Sequence, residues 1–328
     1  MSLIKQLREE SGAPVTEVKT ALEAAGWDIE KAHVELRKRG IAQAEKKKSK
    51  RVASEGLVAL AANEASTKVA LVEVNCETDF VSRNDAFQGL AGQAAQALLA
   101  TEAAGKSLSV SSSDILALEI SSSKGEDKAT TTIEEAVTNV GLGVREKLEL
   151  RRGHFIQASS SDGVVSGYLH MSPAPGLGSI GAAVCIEAED LGEGAEDKKR
   201  QDMLDLGKKV AMHVAATNPL YLDESHIPED VLMAEKDVLM NQPGVKQKPP
   251  HIIEKMVKGR LNKYFKQVTL LNQPFVMDDT LSVKQFVDRQ GKELGLSLSI
   301  SQFARFKVGE GIEKKTTKTF AEEVADLQ

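Results

Sequence analysis

Residues able to do covalent or metal chemistry are few and scattered in this chain. Cys76 and Cys185 are the two cysteines, and six histidines are spread over 328 residues. Two cysteines make neither a disulfide framework nor a zinc site. Both stand in apolar, strand-like runs, so buried free thiols are expected. A phosphate-cradling loop needs a set glycine spacing followed by lysine, and Gly176-Leu177-Gly178 has neither. No nucleophile elbow occurs. The expectation is therefore a protein that is not an enzyme and needs no cofactor. The pattern that stands out is non-covalent. Residues 69–76 alternate in a β-branched run, the period of a half-buried strand. Thr78 and Asp79, turn and cap formers, break that run, and Asn84-Asp85 can start a helix over 85–100. Phe80 then stands in a strand-to-helix turn, where an aromatic has no evident core to fill. Two placements fit. The ring tucks under its own helix, or it is presented outward as an apolar wedge beside a carboxylate, aimed at a partner.

Length allows two or three domains and a sizeable core. A formal net charge of −6 argues against nucleic acid as the main ligand. Lys46, Lys47, Lys48, Lys50 and Arg51 form a basic cluster without interleaved aromatics, which reads as a solvated linker or a helix end. No apolar run approaches the roughly 20 residues of a membrane span, so no membrane partner is expected. The N-terminus has the features of neither a signal peptide nor a transit peptide.

The elements that must position the Asp-Phe turn can be read in order. Residues 2–10, a helix from Pro14 and a third helix through Arg39, capped by Asp28, make a small three-helix module. A strand at 55–60 and a turn at 63–66 precede the 69–76 strand. Residues 101–132, rich in Ser and Thr, read as a linker of variable structure. Thr132 and Glu135 have capping-box spacing at the start of the next helix, which leads to a strand near 148–155. Then the pattern repeats. Residues 162–170 resemble 55–60, a turn follows at 173–178, a strand at 180–187 matches 69–75, and a helix at 198–216 matches the one after Phe80. The fold class expected is α+β, with two related subdomains of antiparallel sheet plus helices. Helices at 227–240 and 251–266 form an antiparallel hairpin that cannot bury both faces alone. The domain boundaries expected are 1–43, a basic linker 44–53, a first core subdomain 54–140, a second at 141–221 and 267–315, the inserted hairpin 222–266 and a tail 316–328. The second half carries Tyr168-Leu169-His170-Met171 at the end of its first strand. A lone histidine there is most often merely hydrogen-bonded, as is His213 within an amphipathic helix.

The segment Glu73-Val74-Asn75-Cys76-Glu77-Thr78-Asp79-Phe80-Val81 resembles the signature of the elongation factor Ts family. So do Leu150-Arg151-Arg152-Gly153, Gln273-Pro274-Phe275-Val276-Met277 and Phe303–Lys315. The resemblance implies a nucleotide exchange factor for elongation factor Tu, in its GDP-bound and nucleotide-free states. It implies a ubiquitin-associated-like N-terminal module, matched by Leu7-Arg8, Gly12 and Val18 to Leu22. It assigns partner contact to Thr78, Asp79, Phe80, Val81 and His170, with Arg8, Val18 and Leu22 from the first module. It also implies self-association through the hairpin in some members. The motif set looks most like plant mitochondrial members, which implies the mitochondrial matrix with a removed presequence; plastid and bacterial cytoplasm are the alternatives. A different class, an adaptor of the ubiquitin-associated type without exchange activity, would need the first module but not the Thr78-Asp79-Phe80 turn.

Overall fold

Three helices open the chain: α1 (Leu3–Ser11), α2 (Val15–Ala24) and α3 (Ile29–Lys48). The computed structural model describes residues 3–11, 13, 15–48, 51–101, 108–121, 130–191, 196–240 and 249–313. Pro14, Lys50 and the expected tail at 316–328 lie outside the described residues. Leu7, Val18, Ala21, Leu22, Ala32 and Leu36 close a small core between the helices. Asp28 caps α3, accepting from Lys31 N at 3.1 Å. The third helix does not stop at Arg39. It continues to Lys48, so the backbone of Lys46, Lys47 and Lys48 is helical. Arg51, expected in a solvated linker, is ion-paired with Glu77 at 3.2 Å.

The first half of the core follows. β1 (Glu55–Ala62) and β2 (Lys68–Cys76) form an antiparallel hairpin. Next come α4 (Asp79–Ser82), α5 (Asp85–Ala100), β3 (Leu108–Val110), α6 (Ser112–Leu116), β4 (Glu119–Ser121), β5 (Thr130–Thr132), α7 (Ile133–Val144) and β6 (Glu149–Gln157). The stretch expected to be a linker thus contributes four short elements. Ile115 and Ile120 explain this, because both are buried in the core beneath α5. Burial in tertiary context overrides weak local propensity. Thr132 caps α7 through Glu135 N at 3.2 Å. The capping box is not closed, because the Glu135 carboxylate accepts from the Thr131 hydroxyl instead.

The second half repeats the plan. It contains β7 (Val164–His170), β8 (Leu177–Gly178), β9 (Ile180–Ala188), α8 (Glu196–Thr217), α9 (Glu229–Met240), α10 (Pro250–Val268), β10 (Pro274–Phe275), β11 (Asp278–Ser282), α11 (Val283–Leu294) and β12 (Leu298–Lys307). One sheet has the order β3-β6-β2-β1-β8 and another β12-β9-β7. The repeat is longer than the sequence pattern suggests, since β6-β2-β1 corresponds to β12-β9-β7. α7 and α11 correspond as well. They are capped by Thr132 and Ser282, and each ends in a left-handed residue, Arg145 and Gly295. The stretch at 173–178 is more than a turn. Its end, β8, crosses over and pairs with β1 of the other half, where Leu177 is buried.

The two sheets pack face to face through Val58, Leu71 and Ile156 on one side and Val165, Cys185 and Phe306 on the other. Glycines permit the close approach: a Cβ at Gly181 would lie 2.6 Å from Val58 Cγ1, and one at Gly167 2.3 Å from Leu60 Cδ1. His213 is buried against Phe275 and structural. Its Nε2 bonds Gln273 at 2.9 Å and its Nδ1 accepts from Val276 N at 3.2 Å, which fixes the neutral tautomer with the proton on Nε2. Burial holds its pKa below the ordinary imidazole value.

One buried carboxylate ties the halves together. Glu73 of β2 has no exposed surface. It accepts from Arg151 at 3.0 Å, Arg152 at 2.6 Å and Gly309 N at 2.8 Å. Arg152 also lies over the Phe306 ring, 4.3 Å from its centre. Removing one member of such a cluster strands the others in low dielectric. Glu73→Ala is expected to lower stability by about 3–5 kcal/mol, read from denaturant unfolding. An unchanged midpoint would show that the cluster does not hold the halves.

Candidate functional site

β2 delivers the chain to the turn, and the turn is pinned from several sides. The Cys76 thiol donates to Thr78 O at 3.1 Å. Burial pushes that thiol up to about 12, so it remains a protonated donor at neutral pH. The Thr78 and Glu77 amides donate to the Glu146 carboxylate at 3.0 and 3.1 Å. α4 is a single helical turn. Thr78 precedes it with extended backbone but makes no side-chain cap, because its hydroxyl is turned to Glu146. Within that turn Val81 points inward and joins the first-half core. Successive helical residues differ by about 100° in direction, so anchoring Val81 carries its neighbour outward. Phe80 is 78% exposed. Of the two placements left open by the pattern, the structure has the presented one. Asp79 beside it is held by Arg83 at 3.2 Å. Asn84 caps α5 through Ala86 N at 2.9 Å, which fixes the exit from the turn.

His170 reaches the same region from the second half. It ends β7, exposed, with its Nδ1 3.3 Å from the Tyr168 hydroxyl. Met171 follows with left-handed backbone and 71% exposure. Because the two sheets face each other, the start of β1 lies beside the end of β7. A groove of about 890 Å³ results, with Asp79, Ser82 and Arg83 on one wall and His170 and Met171 on the other. Phe80 itself does not line the groove, but its neighbour Asp79 does, so an acid and an imidazole share walls next to the exposed ring.

The remaining expected contact residues are placed differently. Arg8 is exposed on α1 and does not line this groove. Val18 and Leu22 are fully buried in the core of the three-helix module, so they offer no surface to a partner. A module this small needs both side chains to close its core. Val81 is likewise turned into the first-half core and nearly buried. Two groups at the site were missed by sequence reasoning. Met171 follows the expected His170 directly. Glu146 lies far along the chain, and aligning the α7–β6 and α11–β12 segments, where Leu296 occupies its place, was the available signal. Among the described residues no cluster of three or more His, Cys, Asp or Glu could hold a metal ion. No described helix is long and apolar enough to cross a membrane.

Comparison with known proteins agrees with this geometry. A family model described as elongation factor TS matches residues 77–310, from the pinned turn to the end of the Glu73 cluster. The chain is 42% identical over 330 residues to a mitochondrial elongation factor Ts of Ricinus communis, covering 99% of this chain and 84% of that protein. The chain belongs to the elongation factor Ts family. It is also 41% identical to the mitochondrial elongation factor Ts of Arabidopsis thaliana, covering 96% of this chain and 78% of that protein. The elongation factor Ts of the bacterium Paramagnetospirillum magneticum is 41% identical, covering 99% of this chain and 95% of that protein. Plant mitochondrial and bacterial members of the family are thus about equally similar to it.

Proposed function

We propose that this protein is a guanine nucleotide exchange factor for elongation factor Tu, acting in the mitochondrial matrix as the plant relatives' names suggest. The observation that carries the reading is the exposed Phe80 on a turn tied to Glu146 just before it and to the core through Val81 just after it. Leaving a large aromatic in water gives up roughly 1.5–3 kcal/mol of burial, and a rigid turn does not let the ring fold back. Such a ring is poised to be buried by another protein.

The proposed mechanism follows from how a GTPase holds GDP. Backbone amides and a lysine cradle the phosphates, and Mg²⁺ with its waters offsets their charge. Mg²⁺ demands near-ideal octahedral geometry. Phe80 enters an apolar cleft of the partner next to that ion, and Asp79 competes for the water-bonded network around it. His170 presses on the phosphate-binding loop from the other wall of the groove. Displacing the ion weakens the hold on GDP. By linkage, GDP weakens binding of the factor by the same factor, so the factor needs no nucleotide site of its own. The test is stopped-flow release of a fluorescent GDP from elongation factor Tu. Phe80→Ala, with its ring already in solvent, is expected to keep the folded chain intact and to lose most of the stimulation, on the order of tenfold or more. Undiminished release would remove the tip from the mechanism.

The α9–α10 hairpin is proposed as a second contact. A groove of about 710 Å³ runs along α10, lined by Ile253, Val257, Leu261 and Phe265, with Met240 from the end of α9. Self-association through this face would appear in sedimentation velocity as a dimer that Val257→Asp converts to monomer. A monomeric unsubstituted chain would refute it.

A further inference from the structure

The two halves share a scaffold but differ in one loop. In the second half the loop between α11 and β12 places Leu296, a buried apolar side chain, after the left-handed Gly295. There a backbone bond, Glu189 N to Ser297 O at 3.3 Å, links the loop to the end of β9. In the first half the corresponding loop places Glu146 after the left-handed Arg145. The carboxylate reaches across to the end of β2 and accepts from Glu77 N, Thr78 N and the Thr78 hydroxyl, at 3.1, 3.0 and 2.5 Å. The return bond is also present. Glu77 Oε1 accepts from Lys147 N at 2.6 Å. Two segments nearly 70 residues apart thus exchange side-chain-to-backbone bonds in both directions.

The position of this clamp is informative. It grips the two residues immediately before α4, the point about which the turn would swing. The half that has the clamp carries Phe80 in solvent. The half that lacks it carries Glu189-Asp190-Leu191, in which Leu191 is buried. Charged acceptors bind backbone amides more strongly than neutral ones, and a loop residue can hold a site only if its own backbone is fixed.

We infer that Glu146 is a positioning residue for exchange: it fixes the base of the Asp79-Phe80 turn, so that Phe80 meets the partner without an ordering cost. This rests on the role of Phe80 proposed above, and the two can fail separately. Glu146→Gln keeps the shape, an acceptor oxygen for the two amides and a donor for Thr78 Oγ1. Glu146→Leu installs the residue of the other half and removes all three bonds.

The experiment measures GDP release from elongation factor Tu with the full chain carrying Glu146→Leu, Glu146→Gln, Phe80→Ala and the Phe80→Ala/Glu146→Leu pair. Backbone hydrogen exchange at residues 77 and 78 is followed in the same proteins. Glu146→Leu is expected to slow stimulated release by about tenfold and to deprotect the 77 and 78 amides, while β2 amides stay protected. Glu146→Gln is expected within about threefold of the parent, since neutral bonds replace charge-assisted ones. The double variant is expected to be no slower than Phe80→Ala alone. A Glu146→Leu protein that exchanges as the parent does, in a series where Phe80→Ala is impaired, overturns the proposal. A double variant slower than Phe80→Ala also overturns it, because Glu146 would then act elsewhere. If Phe80→Ala itself is unimpaired, the reading of Phe80 falls, and the deprotection result alone decides whether Glu146 holds the turn. If Glu146→Leu does not fold, Thr78→Val, which removes only the hydroxyl bond, takes its place. Slower release that vanishes in the Phe80→Ala background supports the clamp, and unchanged release overturns it.

Discussion

A carboxylate without solvent contact sits where the two halves meet, and the site is built outward from it. Glu73 binds two arginines of β6 and the backbone at Gly309, just beyond β12. Its neighbours along β2 lead within four residues to the pinned turn. Burying a charge is unfavourable unless its partners are present and well placed, so this cluster forms only when β2, β6 and the end of β12 are in register. That register sets where the turn of the first half stands relative to His170 of the second. The groove is thereby assembled from both halves about one buried ion cluster.

Above that platform the halves have kept their architecture and diverged in detail. Each has a hairpin, a long helix, a second capped helix and a return strand. What distinguishes the first is the set of side chains around one turn: a thiol that donates to Thr78 O, a carboxylate that collects two amides, and an apolar phenylalanine left outside. The second supplies an exposed histidine and methionine. Folds carry function through such local sites, and the shared scaffold alone would not predict which half bears the wedge.

Much of this was legible in the sequence. The strand at 69–76, the Asn84 cap and the helix at 85–100 were readable, because strand propensity and capping chemistry are local. The half-burial expected of that strand is not met: all of 69–76 is buried, since one face meets the first-half core and the other the facing sheet. The repeat was visible in its strands. Phe80 could not be placed by pattern, since its exposure depends on Val81 being drawn into the core and on nothing covering the ring. The short elements between 108 and 132 were illegible for a related reason: Ile115 orders its surroundings only after a sheet exists to bury it. β8 was missed because its partner strand lies more than 100 residues away. Val18 and Leu22 were expected at a partner, yet both are spent on the small core that the three helices close between them.

The central claim is that the Phe80 ring is the surface the partner covers. Replacing Phe80 with a photoreactive benzoylphenylalanine and irradiating with elongation factor Tu tests it most directly. The account predicts a crosslink to the partner's nucleotide-binding domain that excess GDP suppresses, as linkage requires. A crosslink only within its own chain, or one indifferent to GDP, would contradict it.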